Sequence, residues 1–171
     1  MTQNPHPNRF LYEGLITALA IGGIFIVLGL AIVSTPNIVQ ISTAFFKDLS
    51  NATYPIGTGN AVLPAPANPA AHAAFYTAII NFMLGVGILQ IVILALRVGL
   101  HSRVRRIGET VGNMVFWLGA AAVANVFLLA GTLQGWFQFW AFLIVIVGLS
   151  LIIRFAIHFV HWSTRPKTPN P

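Results

Sequence analysis

Apolar residues fall into four long runs, separated by two short segments and one longer one. The runs cover residues 14–33, 75–96, 111–133 and 136–153. A helix that crosses the hydrocarbon core of a bilayer needs about 20 mostly apolar residues, so each run predicts one spanning helix. The first run is longer than the roughly 7–15 apolar residues of a signal peptide, and we interpret it as a retained span. The sequence predicts an all-α membrane protein with four transmembrane helices in an antiparallel bundle.

The longest segment outside these runs is residues 34–74, between spans one and two. Its first half, NIVQISTAFFKDL, has apolar residues at helical spacing and predicts a helix in the membrane interface with its apolar side toward lipid. Its second half, TYPIGTGNAVLPAPANP, is rich in Pro, Gly and Ala and predicts an irregular loop. Asn68 followed by Pro69 is typical of a helix start. Asn51 begins an Asn-Ala-Thr triplet, which fits the N-glycosylation pattern.

The composition indicates that lipid surrounds much of the chain. Hydrophobic residues make up 57% and charged residues 7% of the 171 positions, whereas soluble domains have about 45–50% apolar and about 25% charged residues. We expect one membrane domain over residues 1–171, since this length leaves no room for a separate soluble enzyme domain. The sequence contains no cysteine, which excludes disulfides, thiolate metal sites and cysteine nucleophiles.

The positions of Lys and Arg predict the orientation, because short basic loops stay in the cytoplasm. With four spans, both tails and the turn over residues 97–110 share one side. That side holds eight of the nine basic residues, namely Arg9, Arg97, Arg103, Arg105, Arg106, Arg154, Arg165 and Lys167. The other side holds Lys47. We expect a cell-membrane protein with both termini, including the tail over residues 163–171, in the cytoplasm.

Charge is concentrated in the turn RVGLHSRVRRIGETVGN. We expect Arg97, Arg103, Arg105 and Arg106 to contact anionic lipid headgroups, with about 1 kcal/mol of attraction for each residue. The net charge of +6 would indicate nucleic-acid binding in a soluble protein. A short basic turn at a membrane surface already has lipid phosphates to contact, so no nucleic-acid partner is expected.

Four amide side chains stand out inside predicted spans two and three, where a polar group needs a partner or a function. Spans two and three form a hairpin that turns near residue 102, which puts Asn81 at the depth of Asn125 and Gln90 at the depth of Asn113. We interpret these pairs as interhelical hydrogen bonds, worth about 0.6 kcal/mol each. The alternative is a polar lining for a solute or ion pathway. That alternative is weaker, because Asn81 and Gln90 face opposite sides of a helix.

A charged group is predicted at the cytoplasmic boundary of the spans. Glu13 lies at the start of span one, Arg154 at the end of span four and Arg97 at the end of span two. Their similar depth predicts an ion pair among the three. The alternative is that Glu13 is a carboxylate that carries a proton or a cation, since acids in membranes are often functional.

Small residues mark span three as the centre of helix packing. Gly108 and Gly112 are four residues apart, and Gly119 continues the series into an alanine-rich run. Small side chains let helix backbones approach closely in lipid. The pattern predicts close packing, within one chain or between chains of an oligomer.

Histidines raise the question of haem or metal binding. His101, His158 and His161 lie at or beyond the cytoplasmic boundary, and His158 and His161 share one helical face. The alternative is an interfacial segment, RFAIHFVHW, with its histidines and tryptophan at headgroup level. We favour the alternative and expect no cofactor and no bound metal.

Motifs of soluble enzymes are absent from the sequence, including the phosphate-binding loop, the dinucleotide fingerprint, the nucleophile elbow and the zinc-protease motif. The leading hypothesis is a non-catalytic multi-pass membrane protein that forms a homo-oligomer or joins a membrane complex. The alternative is a small channel or transporter with a pore between helices or subunits. A third hypothesis is a redox subunit that binds haem or quinone through His101 and His158.

Overall fold

The computed structural model describes residues 8–51, 53–55 and 62–163, and these residues are mainly helical. The five α-helices are α1 (Asn8–Val33), α2 (Ile38–Asn51), α3 (Ala73–Gly99), α4 (Val104–Phe127) and α5 (Leu133–Ser163). A 3-10 turn, Pro69–His72, leads directly into α3, and two short strands, β1 (Thr53–Pro55) and β2 (Val62–Pro64), lie between α2 and that turn. Residues 1–7 and 164–171 of the two tails lie outside the described residues, and so does the central residue of the Asn-Ala-Thr triplet that begins at Asn51.

Four of the helical segments are long and apolar enough to cross a membrane, as the hydrophobic pattern predicts. They are Leu11–Val33, Pro69–Gly99, Val104–Phe127 and Leu133–Val160. The third span differs from its predicted bounds, since α4 begins seven residues before residue 111 and ends at Phe127 rather than near residue 133. The chain turns at residues 128–132, where Gly131 has a φ of 64° that favours glycine.

The described residues between α2 and α3 include two strands, where the sequence predicted an irregular loop. β1 and β2 pair antiparallel, with Thr53 opposite Pro64 and Tyr54 opposite Leu63. Pro69 occupies the first turn of the helix, as predicted, but that turn is a 3-10 helix and the Asn68 side chain forms no cap hydrogen bond. The Asn68 backbone N–H instead donates to Asp48 of α2 at 3.1 Å.

The sequence predicted that the apolar side of α2 faces lipid. In the structure, part of that side faces the other helices. Phe45 is 5% exposed and belongs to a cluster of buried residues that includes Tyr76 of α3 and Trp136 of α5. Val39 and Phe46 of the same helix are exposed. Phe45 instead packs against the aromatic rings of α3 and α5.

The long helices pack in the order α1, α3, α4, α5, with α3 and α4 in the middle. Within their most apolar stretches, 28% of the residues of α3 and of α4 are buried, against 6% for α1 and 11% for α5. Glycines allow close approach on α3: a Cβ at Gly87 would overlap Leu118 of α4, and one at Gly85 would overlap Val27 of α1 at 2.6 Å. The outer helices α1 and α5 therefore present most of their apolar surface outside the molecule.

Candidate functional site

Polar contacts between the long helices gather at one end of the molecule, which we call the arginine end. It comprises the end of α3, the turn 100–103, the start of α4 and the neighbouring parts of α1 and α5. The turn closes with a hydrogen bond from the Ser102 N–H to the Arg97 carbonyl at 2.9 Å. His101 lies in the left-handed region, with a φ of 51°, as is typical of the residue that ends a helix.

Arg97 joins α3 to α4 at the arginine end. Its Nη1 donates to the Arg106 carbonyl at 2.5 Å and to the Thr110 hydroxyl at 2.7 Å. The Thr110 hydroxyl in turn donates to the Arg106 carbonyl at 2.8 Å, and Thr110 is 2% exposed. One guanidinium group thus crosses between two helices and binds acceptors of the second helix's first turns. From the sequence, lipid headgroups or Glu13 were the predicted partners of Arg97, and the acceptors on α4 were not predicted.

Arg154 makes the corresponding contact between α5 and α4. Its Nη2 donates to Asn113 Oδ1 at 2.6 Å. The Arg154 side chain lies directly against Gly112, where a Cβ would overlap its Nε and Cγ atoms. Gly112 therefore gives room to an arginine side chain, and the small residue here serves a polar contact.

Gly108 and Gly119 of α4 also lie against α5. A Cβ at Gly108 would come 3.2 Å from Ile157, and one at Gly119 would come 3.1 Å from Ile146. Both distances are tighter than ordinary van der Waals contact, so these glycines set how closely α5 approaches α4.

Glu13 and Arg154 do not form the ion pair that their depth predicted. Glu13 instead approaches Arg106 of α4, with 3.8 Å between Oε2 and Nε. Glu13, Arg97 and Arg106 line a cavity of about 10 Å³, which is close to the volume that one water molecule needs. Glu13 and Arg97 thus line the same cavity, but no ion pair joins them among the described residues. Arg154 lies elsewhere, because Asn113 provides its acceptor.

The remaining arginines of the turn lie at the surface. Arg103 is exposed, and the side chains of Arg105 and Arg106 are 78% and 51% exposed. Arg105 Nε contacts Glu109 Oε1 at 3.1 Å, a pair one helical turn apart that contributes little to stability. These side chains are open to headgroups, and their contact with lipid stays a prediction.

The predicted amide pairs do not form hydrogen bonds in the described part of the chain. Asn113 binds Arg154 rather than Gln90, and Gln90 is buried without a hydrogen bond to another described side chain. Asn81 and Asn125 are both exposed, and no hydrogen bond joins them. Two side chains can form a hydrogen bond between helices only if they lie at a similar depth. They must also point toward each other, and these amides do not.

The histidines are not brought together into a metal site within the described residues. His101 is exposed in the turn and His158 is partly exposed on α5. The side chain of His161 lies outside the described residues. No group of three or more His, Cys, Asp or Glu side chains gathers anywhere in the described part of the chain.

The opposite end of the molecule, which we call the aromatic end, contains an apolar groove. It comprises α2, β2, the start of α3 and the start of α5, and the groove has a volume of about 590 Å³. Every residue of its lining is apolar or aromatic. The lining includes Phe45, Phe46 and Leu49 of α2, Phe75, Tyr76, Ile79 and Met83 of α3, and Trp136, Phe137, Phe139, Trp140 and Leu143 of α5.

Aromatic contacts hold α2 over the start of α3. Phe45 stacks on Phe75 with 4.3 Å between ring centroids, and it meets Tyr76 and Trp136 at 5.9 and 6.0 Å. Trp136 Nε1 donates to the Pro64 carbonyl at 3.2 Å and so ties α5 to β2. Tyr76 is 1% exposed, and its hydroxyl has no hydrogen-bond partner among the described residues.

An Asp–His contact at the aromatic end was missed by sequence reasoning. Asp48 Oδ2 lies 2.8 Å from His72 Nε2 and also accepts the Asn68 N–H. The hydrogen bonds from Asn68 and His72 hold the pKa of the Asp48 carboxyl below its usual value of 3.8. The signal in the sequence is weak, since it consists of one acid on a helix and one histidine after a Pro-rich stretch.

Four helices able to span a membrane, packed together and linked by specific contacts at both ends, are consistent with a multi-pass membrane protein. Comparisons with protein-family models, with curated proteins and with solved structures find no match to the chain.

Proposed function

We propose that this chain is a non-catalytic multi-pass membrane protein that works as a subunit of a homo-oligomer or of a larger membrane complex. The observation that carries the proposal is the exposure of Asn81 and Asn125. Both lie in candidate spans, in the first half of α3 and the last turn of α4, and neither has a hydrogen-bond partner in the described residues. A polar amide facing lipid is costly, and a helix from another subunit would supply the missing partner.

The proposed arrangement is antiparallel, and contacts between neighbouring helices support it. Gly23 of α1 meets Leu89 of α3, while Val27, one turn later in α1, meets Gly85, one turn earlier in α3. Between α4 and α5, Gly112 meets Arg154, whereas Gly119 meets the earlier residue Ile146. In each pair, the contacts advance along one helix as they go back along the other.

We propose that the arginine end faces the cytoplasm, with the aromatic end and α2 at the opposite interface. The support is the asymmetry of basic residues, since Arg97, Arg103, Arg105, Arg106 and Arg154 are at the arginine end and Lys47 is at the other. The chain has no cysteine, so single introduced thiols report the side directly. An impermeant thiol reagent on intact cells should label Gln40→Cys and not Arg103→Cys, and the reverse labelling would overturn the orientation.

We also propose that the protein is not an enzyme, and the basic partners of its carboxylates support this. The chain has three acidic residues, and each one meets a basic side chain. Asp48 binds His72, Glu13 approaches Arg106, and Glu109 contacts Arg105. Glu13 and Glu109 both approach the guanidinium group of Arg106, at 3.8 and 3.7 Å, which favours the ionised form of both carboxylates. Acid–base catalysis by a pair of carboxylates needs one of the two to carry a proton.

The subunit role is tested by removing both exposed amides. In mild detergent, light scattering of the wild-type protein should give a protein mass above the 18.5 kDa of one chain, either as an oligomer or with a co-purifying partner. Asn81→Leu combined with Asn125→Leu should lower the mass to that of one chain. Ile88→Leu, on the same exposed side of α3, is the matched control and should leave the mass unchanged. A wild-type protein that is strictly monomeric and has no partner would contradict the proposal.

A further inference from the structure

We propose that the partner of the exposed amides is a second copy of this chain, related to the first by a two-fold axis along the membrane normal. The inference rests on the subunit role proposed above and names the partner. In this arrangement α3 of each copy packs against α4 of the other, and Asn81 of one copy meets Asn125 of the other. All four amides of the dimer then have the hydrogen-bond partner that they lack within the described residues of one chain.

The two amides lie at the same depth in the hairpin that α3 and α4 form. Gly87 of α3 lies directly against Leu118 of α4, and this contact fixes the register of the two helices. Asn81 is six residues before Gly87, and Asn125 is seven residues after Leu118. At the rise of an α-helix, the two amides are about 9 and about 10.5 Å from the contact, both toward the aromatic end.

Both amides also lie on the same side of the hairpin. They directly follow Ile80 and Ala124, which face inward into one buried cluster. Successive residues of an α-helix point about 100° apart, and α3 and α4 run in opposite directions in the arrangement proposed above. Seen along the bundle, the step is clockwise on one helix and anticlockwise on the other, which brings Asn81 and Asn125 to one side. Both residues are exposed there.

A second copy supplies what these amides lack. Copies of a membrane protein share one orientation, so a two-fold axis along the normal leaves every residue at its own depth. A two-fold contact is reciprocal, so the contact of Asn81 with Asn125 occurs twice. An amide side chain both donates and accepts hydrogen bonds, whereas hydrocarbon does neither. A different partner would need polar side chains of its own at this depth, and this chain already has them.

The exposed residues one turn away from the amides fit the same arrangement. Leu84 of α3 and Ala122 of α4 are both exposed, and each is three residues from its amide in the direction of the arginine end. They are therefore also at one depth. The small side chain of Ala122 lets α3 of the second copy approach closely, with Leu84 packed beside it.

The test is disulfide crosslinking between two copies, since the chain has no cysteine of its own. Two full-length chains with different affinity tags, one with Leu84→Cys and one with Ala122→Cys, are co-expressed and oxidised in membranes with copper phenanthroline. The mixed pair should form a disulfide-linked dimer. Either variant expressed alone should give several-fold less, because α3 of one copy faces α4 of the other. Both amides are intact in these variants.

Ile144→Cys on α5 is the matched control. Ile144 is 73% exposed, and it lies at about the depth of Ala122 because Gly119 of α4 meets Ile146 of α5. Combined with Leu84→Cys, it should give only the background of random collisions. Equal crosslinking with Ala122→Cys and with Ile144→Cys would overturn the proposal.

Exchange of the amides gives a second measurement, which does not depend on introduced thiols. One chain has Asn81→Leu and the other has Asn125→Leu. A mixed pair keeps one contact between amides, whereas a pair of identical chains keeps none. Tandem affinity purification should therefore recover the mixed pair above its random share, and recovery at the random share would count against the two-fold contact.

The mass of the wild-type protein separates this inference from the subunit role. In mild detergent the protein should have twice the 18.5 kDa mass of one chain. An assembly of three or more copies would overturn the dimer and leave the subunit role standing. A complex with another protein, without crosslinks between copies, would do the same. A single chain without any partner would overturn both.

Discussion

At the arginine end, hydrogen bonds from guanidinium groups join neighbouring helices, whereas at the aromatic end stacked rings join α2 to α3 and α5. Arg97 donates to two acceptors on α4, and Arg154 donates to one. Phe45 meets several rings of a buried cluster and makes no directional bond. Lipid offers no hydrophobic force between spanning helices, so polar contacts are effective within the spans. Ring packing joins α2, which is not among the candidate spans, to α3 and α5.

The difference predicts which substitutions act over a long range. A guanidinium that loses its acceptor affects two helices locally. A ring removed from the cluster affects α2, β2 and the groove together, because all three depend on the same surface.

The largest expected effect is that of Phe45→Ala. Removing a ring that is 5% exposed should lower the free energy of unfolding by about 3–5 kcal/mol, mostly through release of α2 from α3. Hydrogen–deuterium exchange of the α2 amides should become faster, while the amides of α4 near Arg97 should keep their protection. Phe46→Ala is the matched control, since Phe46 is 60% exposed, and it should have a much smaller effect. Equal effects of the two variants would show that ring packing does not hold α2.

Arg97→Met should have an intermediate effect at the opposite end. The substitution removes two hydrogen bonds from a charged donor, and we expect a loss of about 2 kcal/mol, within the usual range for such bonds. The Thr110 hydroxyl still donates to the Arg106 carbonyl, so each of these two groups keeps one hydrogen bond. Thermal unfolding in detergent measures the change. Arg103→Met, which replaces an exposed arginine, should stay within about 0.5 kcal/mol of wild type. If both variants behave alike, the contact of Arg97 with α4 contributes nothing to stability.

The four spans could be predicted from sequence because composition alone sets them. A run of about 20 apolar residues has few structures open to it other than a spanning helix. The bounds of the third span were wrong because its polar first turns, from Val104, are helical through their contacts with α3 and α5 rather than through hydrophobicity. The helix at α2 was predicted by its spacing, but its partner was not, since the pattern shows an apolar side and not what covers it.

The contacts of individual polar residues were harder to predict. Sequence position fixes how deep a residue lies along a helix, and on that basis Glu13, Arg97 and Arg154 were equivalent candidates. It does not fix the direction around the helix axis, so Arg154 binds Asn113 while Glu13 approaches Arg106. Asn81 and Asn125 share a depth but both point outward. The contact of Asp48 with His72 depends on the path of the chain between α2 and α3, which no local pattern encodes.

The smallest expected effect concerns pH at the aromatic end. Hydrogen bonds from Asn68 and His72 hold the pKa of Asp48 below 3.8, so the folded protein keeps this carboxylate ionised at a lower pH than the unfolded chain does. The resulting stabilisation is fully present above the unfolded value of 3.8 and is lost as the pH falls through the lower folded pKa.

The groups that face Asp48 are His72 and the Asn68 N–H, with Lys47 beside it on α2. Its side chain is 23% exposed, so the contribution should stay below about 1 kcal/mol. After correction for intrinsic rates, exchange of the α2 amides should therefore become faster as the pH falls below the usual carboxyl value of 3.8. Asp48→Asn should remove this acid-dependent step while Phe45 still holds α2. A step of unchanged size in Asp48→Asn would assign it to another group, and the aromatic end would then depend on ring packing alone.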